Sequence, residues 1–150
     1  TPQLEDRVSN VKVDELMNEN VIVAEPHQTV EHVRKMLDSN KIHALPVVNS
    51  DAEPVGMIST SDLAKPGLKA GQHISELMTE KVFSVPRYEG AHIAARVMRN
   101  HKLHHLVVTH EKKVVGFLSS FDLLKLVEEH RWVPKNAPSE KQRNKGNARA

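Results

Sequence analysis

The chain has no cysteine. That excludes a disulfide framework, thiolate zinc sites, iron–sulfur clusters and cysteine nucleophiles together. It fits a reducing compartment, here taken as the cytoplasm. Five aromatic residues among 150 leave the core to Val, Leu, Ile, Met and Ala. No apolar stretch approaches the ~18 residues of a membrane span, and no basic-then-apolar leader opens the chain. The first residue is Thr1 rather than Met, so the sequence reads as a trimmed piece. Charge of one sign is scarce as well: 21 basic and 19 acidic side chains leave +2. So small an excess argues against a whole-domain nucleic-acid binder.

What charge there is lies at one end. Segment 131–150 carries Arg131, Lys135, Lys141, Arg143, Lys145 and Arg149 against Glu140, a net of +5, which leaves −3 for residues 1–130. With Pro134, Pro138 and few aliphatic residues, it cannot bury enough surface to offset its ordering entropy and reads as a flexible basic tail. Any contact with nucleic acid is expected there alone. Trp132 is expected to pack on a helix end or a partner chain.

The rest of the chain is written twice. Val13-Asp14-Glu15-Leu16-Met17 returns as Ile74-Ser75-Glu76-Leu77-Met78, and Lys41 to Val48 returns as Lys102 to Thr109, both 61 residues on. Val55-Gly56-Met57-Ile58-Ser59 returns as Val115-Gly116-Phe117-Leu118-Ser119, now 60 residues on. The lost residue falls in a polar turn, where deletions are tolerated. Chance does not keep register over such a span.

Each copy reads as the same series. A short helix (Val13–Met17) and a strand (Val21–Ala24) lead to a helix over Val30–Ser39, capped by Thr29 and striped with Val30, Val33, Met36 and Leu37. Two strands follow, Ala44–Val48 and Val55–Ser59, and a last helix starts after Thr60. The second copy gives Val82–Val85, Ala91–Asn100, Leu106–Thr109, Val114–Leu118, and a helix from Phe121 to about His130. Lys65 to Gln72 (KPGLKAGQ) reads as a linker. The expected units are an N-terminal segment 1–12, repeat one 13–65, linker 66–72, repeat two 73–130 and the tail 131–150. A unit of ~50 residues is marginal alone. The two copies are therefore expected to share one core, α+β, as two β-α-β-β-α repeats packed through their sheets about a pseudo-twofold axis.

No G-x-S-x-G, H-E-x-x-H, G-x-G-x-x-G or P-loop is present. No carboxylates pair as an acid/base couple, so no enzyme activity is expected. His101, His104 and His105 cluster, but a set straddling a helix end and a strand lacks the convergent ligands of a zinc site. What recurs is Gly56-x-x-Ser59-x-Ser61-Asp62 and Gly116-x-x-Ser119-x-Phe121-Asp122, at a strand-to-helix junction. A helix N-terminus favours phosphate, and an acceptor-only carboxylate can take both hydroxyl protons of a ribose. The same Ser-x-x-Asp spacing is also that of a capping box, in which the acid folds back on its own helix start.

Taken in order and twice, the Glu-Leu-Met triplets, His43-Ala44-Leu45-Pro46-Val47-Val48, His104-His105-Leu106-Val107-Val108 and the two Gly…Ser-x-x-Asp runs resemble a tandem pair of CBS domains, a Bateman module, from about Val13 to Glu129. The resemblance implies a regulatory module binding an adenosyl ligand such as AMP, ADP, ATP, NAD or S-adenosylmethionine in clefts between the repeats. It requires no cofactor, and it often forms a homodimer acting on an effector protein. Carried over residue by residue, Asp62, Ser59 and Ser61 would share one cleft with Val82, Phe83, Leu103, His104 and His105. Asp122 and Ser119 would share the other with Val21, Ile22, Ile42, His43 and Ala44, and Phe121, standing in place of Ser61, would partly fill it. Two imidazoles at the Asp62 cleft would favour phosphorylated adenosine there, more at about pH 6 than at about pH 8. The competing expectation is a dimerisation or interaction scaffold whose clefts bind nothing.

Overall fold

The computed structural model describes residues 11–129, so the expectations for the basic tail and Trp132 lie outside the described residues. In the first half, a 3-10 turn (Val13–Glu15) precedes helix α1 (Val30–Ser39), strands β1 (Ala44–Val48) and β2 (Pro54–Ser59), and the short helix α2 (Thr60–Leu63). The second half repeats the order. A 3-10 turn (Ile74–Glu76) leads to β3 (Ser84–Pro86), α3 (Ala91–His101), β4 (His105–His110), β5 (Lys113–Ser119) and α4 (Ser120–Glu128). The helix over Val30–Ser39 and its Thr29 cap are as the apolar spacing predicts, with the Thr29 hydroxyl accepting from the His32 N–H at 3.2 Å.

Each half is an antiparallel pair, β1 with β2 and β4 with β5, carrying a parallel neighbour. That neighbour is β3 in the second half. In the first half, the expected strand Val21–Ala24 shrinks to one bridge between Ala24 and Val47. Only Ala24 of that stretch is buried; Val21 and Ile22 are half-buried along a cleft, with no strand outside them to extend the ladder.

The expected single core is two clusters, and the halves have exchanged their leading segments. Val11, Val13, Leu16 and Met17 pack with Val85, Ala91, Ala94, Met98, Leu106 and Leu118 of the second half. Ile74, with Leu77 and Met78 beside it, packs with Val30, Val33, Leu37, Leu45 and Ile58 of the first. Backbone pairs fasten each exchange. Asn18 and Phe117 trade two hydrogen bonds of 2.9 and 3.0 Å, and Met57 and Thr79 trade two of 2.9 Å. Asp14 also faces Arg87 at 3.5 Å, both partly buried. A marginal half is thus completed by the segment that leads the other half.

Gly56 and Gly116 make this exchange possible. A Cβ at Gly116 would lie 2.1 Å from Met17 Sδ, and one at Gly56 would lie 2.6 Å from Met78 Sδ. The close approach that glycine permits here is to the other half's methionine.

Candidate functional site

The site is built at the ends of β2 and β5 and at the turns leading into β1 and β4. α1 and α3 both end on a left-handed lysine, Lys41 at φ 53° and Lys102 at φ 55°. The chain then doubles back, with Ile42 N–H donating to Leu37 O (3.0 Å) and Leu103 N–H to Met98 O (2.8 Å). The His43 and His104 carbonyls accept from Thr60 and Ser120 N–H at 2.8 Å, which ties these turns to the starts of α2 and α4.

Both capping boxes are formed. Asp62 Oδ2 accepts the Ser59 N–H at 2.9 Å and Asp122 Oδ2 the Ser119 N–H at 2.9 Å. In return the serine hydroxyls accept the Asp62 and Asp122 N–H groups at 3.2 and 3.1 Å. Capping and ligand binding are not exclusive, because a carboxylate has two oxygens and about four acceptor positions. The two copies then differ. Ser59 Oγ also donates to Asp62 Oδ2 at 3.0 Å, whereas no described hydrogen bond uses the Ser119 hydroxyl proton. Lys125 Nζ lies 3.6 Å from Asp122 Oδ1.

The cleft at Asp122 encloses about 740 Å³. Its wall holds Val21, Ile22, Ile42, His43 and Ala44 from the first half, and Ser119, Phe121 and Asp122 from the second. All eight are residues the sequence assigns to this cleft. Phe121 does not fill it: the residue lines the wall and is 77% exposed. Asn18, Asn20, Asn40, Lys41, Phe117 and His105 complete the wall. Lys41 and Asn40 sit at the helix-end turn, next to Ile42 in sequence, a signal that could have found them.

The related cleft on the other side encloses about 310 Å³. Phe83, Leu103, His104 and His105 line it as expected, with Met57, Thr79, Lys81 and Val107. Asp62, Ser59, Ser61 and Val82 are not on its wall. Bulk accounts for the difference: Phe83 and His105 stand where the larger cleft has Ile22 and Ala44. Lys81 Nζ lies over the Phe83 ring at 5.2 Å, and the His101 ring packs against it, tilted by 37°, at 4.3 Å.

His105 faces both clefts, not the Asp62 side alone. Its ring stacks on Phe117 at 5.0 Å, 5° from parallel. Burial, reinforced by His104 and His43 and opposed by Asp122, holds its pKa below the ordinary value. That works against the imidazolium expected to favour phosphate on the Asp62 side. Among the described residues no three His, Asp or Glu side chains converge as a metal site, and no helix is long and apolar enough to cross a membrane.

The CBS-domain model matches residues 13–67 and again 74–129. The chain belongs to the CBS-domain family. This CBS pair is 35% identical over 130 residues to the inosine-5′-monophosphate dehydrogenase of Halobacterium salinarum, covering 83% of the chain and 26% of that enzyme. It spans about a quarter of the length of the first curated relatives it matches. Among solved structures it is similar to the CBS domain pair of protein MJ0100, in complex with 5′-methylthioadenosine and S-adenosyl-L-methionine, at 25% identity and TM-score 0.71 over 80% of this chain and 98% of that one. CBSX2 of Arabidopsis thaliana, in complex with AMP, shares the fold at 23% identity and TM-score 0.70, over 81% and 98% of the two chains.

Proposed function

We propose that the chain is a regulatory module that binds an adenosine derivative in the Asp122 cleft and thereby biases the relative geometry of its two halves. The observation that carries this reading is the composition of that wall, with a free Ser119 hydroxyl proton and the Asp122 carboxylate from one half facing Val21, Ile22 and Ala44 from the other. A ligand there touches both halves at once. It shifts their arrangement by as much as its affinity differs between arrangements. The MJ0100 pair, of similar fold and 25% identity, holds two adenosyl compounds, which supports the ligand class. In this reading the Asp62 cleft is the lesser site, Ser59 and Asp62 act as a helix cap, and control passes to an effector domain or protein.

The test is a thermal-shift panel of AMP, ADP, ATP, NAD and S-adenosylmethionine. A ligand that binds only the folded chain stabilises it by about 2.7 kcal/mol at a hundredfold excess over Kd. The reading expects at least one compound to raise Tm in a concentration-dependent way, and Asp122→Asn to abolish the rise. No shift from any compound contradicts it.

A second reading, an association scaffold, is favoured by α4. Phe121, Leu124 and Val127 are 77%, 55% and 52% exposed on one side of that helix. Such a stripe fits a second copy of the chain, and it is compatible with ligand binding.

A further inference from the structure

Lys125 joins the Asp122 corner of the larger cleft to the exchanged leading segment. It stands three residues after Asp122 on α4, a spacing that brings side chains together on one helix face. Its Nζ lies 3.6 Å from Asp122 Oδ1 and donates to the Leu16 carbonyl at 3.3 Å. Leu16 is buried just after the first half's 3-10 turn, and Lys125 is the only described partner of its carbonyl oxygen. Two residues on, Asn18 pairs with Phe117 and reaches the cleft wall. The carboxylate keeps acceptor positions for a ligand, because at 3.6 Å the ammonium attracts Oδ1 without a hydrogen bond to it. The other half lacks this link. Lys65 is the equivalent residue, but α2 ends at Leu63, so Lys65 falls past the helix, and no described ion pair or side-chain hydrogen bond engages it. The lysine is duplicated; its contacts are not.

We infer that Lys125 is a positioning residue that carries occupancy of the Asp122 cleft to the leading segment, residues 11–18, a step that rests on the adenosine reading above. The ammonium group is shared between a carboxylate and a carbonyl. A ligand hydroxyl that donates to Asp122 draws on the carboxylate's charge and weakens its pull on Nζ. The ammonium then turns towards the Leu16 carbonyl, and that charge-assisted hydrogen bond tightens. The leading segment is held more firmly on the second half as a result. By linkage, a firmer segment strengthens ligand binding by the same factor. A ligand on the Asp62 side has no lysine so placed to act through.

The test is amide hydrogen exchange of residues 13–18 in wild type, Lys125→Met and Lys125→Arg. Each is measured alone and saturated with AMP, ADP, ATP, NAD or S-adenosylmethionine, with calorimetry to establish which compounds bind. Lys125 is exposed, so the Met variant should fold. In wild type a compound that binds is expected to slow exchange at Leu16, Met17 and Asn18 about fivefold or more, the low end of ordinary coupling. Lys125→Met should still bind it within about tenfold of wild-type affinity but show less than half of that slowing. Lys125→Arg, which keeps the charge and the donors, should restore it. Slowing that persists undiminished in Lys125→Met would run through Asn18 on the cleft wall and overturns the inference. So does a wild type that binds without slowing exchange, or a Lys125→Met that no longer binds. Each of these results spares the adenosine reading. A wild type that binds none of the five compounds overturns both.

Discussion

Adding one methyl group at Gly116 tests the exchanged architecture. The new Cβ of Gly116→Ala would lie 2.1 Å from Met17 Sδ, 2.9 Å from its Cγ and 3.1 Å from its Cε. Comfortable contact needs about 3.5–4 Å. Met17 must move, yet it is 8% exposed and packed among Val13, Leu16 and Leu118. Overpacking of this kind costs about 1–3 kcal/mol. Replacing glycine in a strand returns roughly 0.5–1 kcal/mol of backbone entropy. The net expectation is a loss of about 1–2 kcal/mol, or some 2–8 °C in Tm for a chain near this size. Gly56→Ala makes the milder control: its nearest contact is 2.6 Å, to a half-buried Met78 with more room to yield. Urea denaturation measures both. In a Met17→Ala background the Gly116→Ala penalty should vanish, a coupling that a double-mutant cycle isolates. Gly116→Ala at wild-type stability, or a penalty that persists without Met17, refutes the packing of the leading segment on the second half.

The remaining predictions concern His105 and α4. A histidine held below its ordinary pKa of 6.5 in the fold is protonated more readily in the unfolded chain. The unfolded state then binds more protons, so stability should fall as pH drops from about 6.5 towards the lowered native value. The groups facing this ring are His104, His43, Asp122 and the stacked Phe117. His105→Ala, the residue at equivalent position 44, should shrink the acid-side slope in denaturation between pH 5 and 7 (about one unit either side of that window's centre); an unaltered slope contradicts this. On α4, Leu124→Glu should leave the unfolding free energy within about 0.5 kcal/mol of wild type, as an exposed substitution does. It should lower the apparent mass in sedimentation if the stripe joins two copies, and an unchanged mass removes that part of the second reading.

The strands that pair on both backbone edges, or bury whole faces, are plain in the sequence. Ala44–Val48 and the run from Leu106 are continuous apolar stretches; the first keeps its bounds in the fold and the second gains one residue at each end. Val21–Ala24 reads the same way but forms only a bridge, because apolar character records burial and Val21 and Ile22 line a cleft instead of a ladder. The exchange of leading segments is silent for a related reason. Periodicity shows that Leu16 and Ile74 are buried but not which half buries them. The eight residues expected at the Asp122 cleft do meet there, since the duplication fixes their equivalence to the other set. The Asp62 cleft departs from its twin through side-chain bulk at Phe83 and His105, a difference that symmetry arguments erase. The dual position of His105 follows from its place near the junction of the clefts, which spacing along one strand does not reveal.

The most direct measurement is the stoichiometry and location of AMP binding, by calorimetry on wild type, Asp62→Asn and Asp122→Asn. The account predicts one AMP per chain in wild type and in Asp62→Asn, and none in Asp122→Asn at the same concentrations. Binding that survives Asp122→Asn and disappears with Asp62→Asn would contradict it.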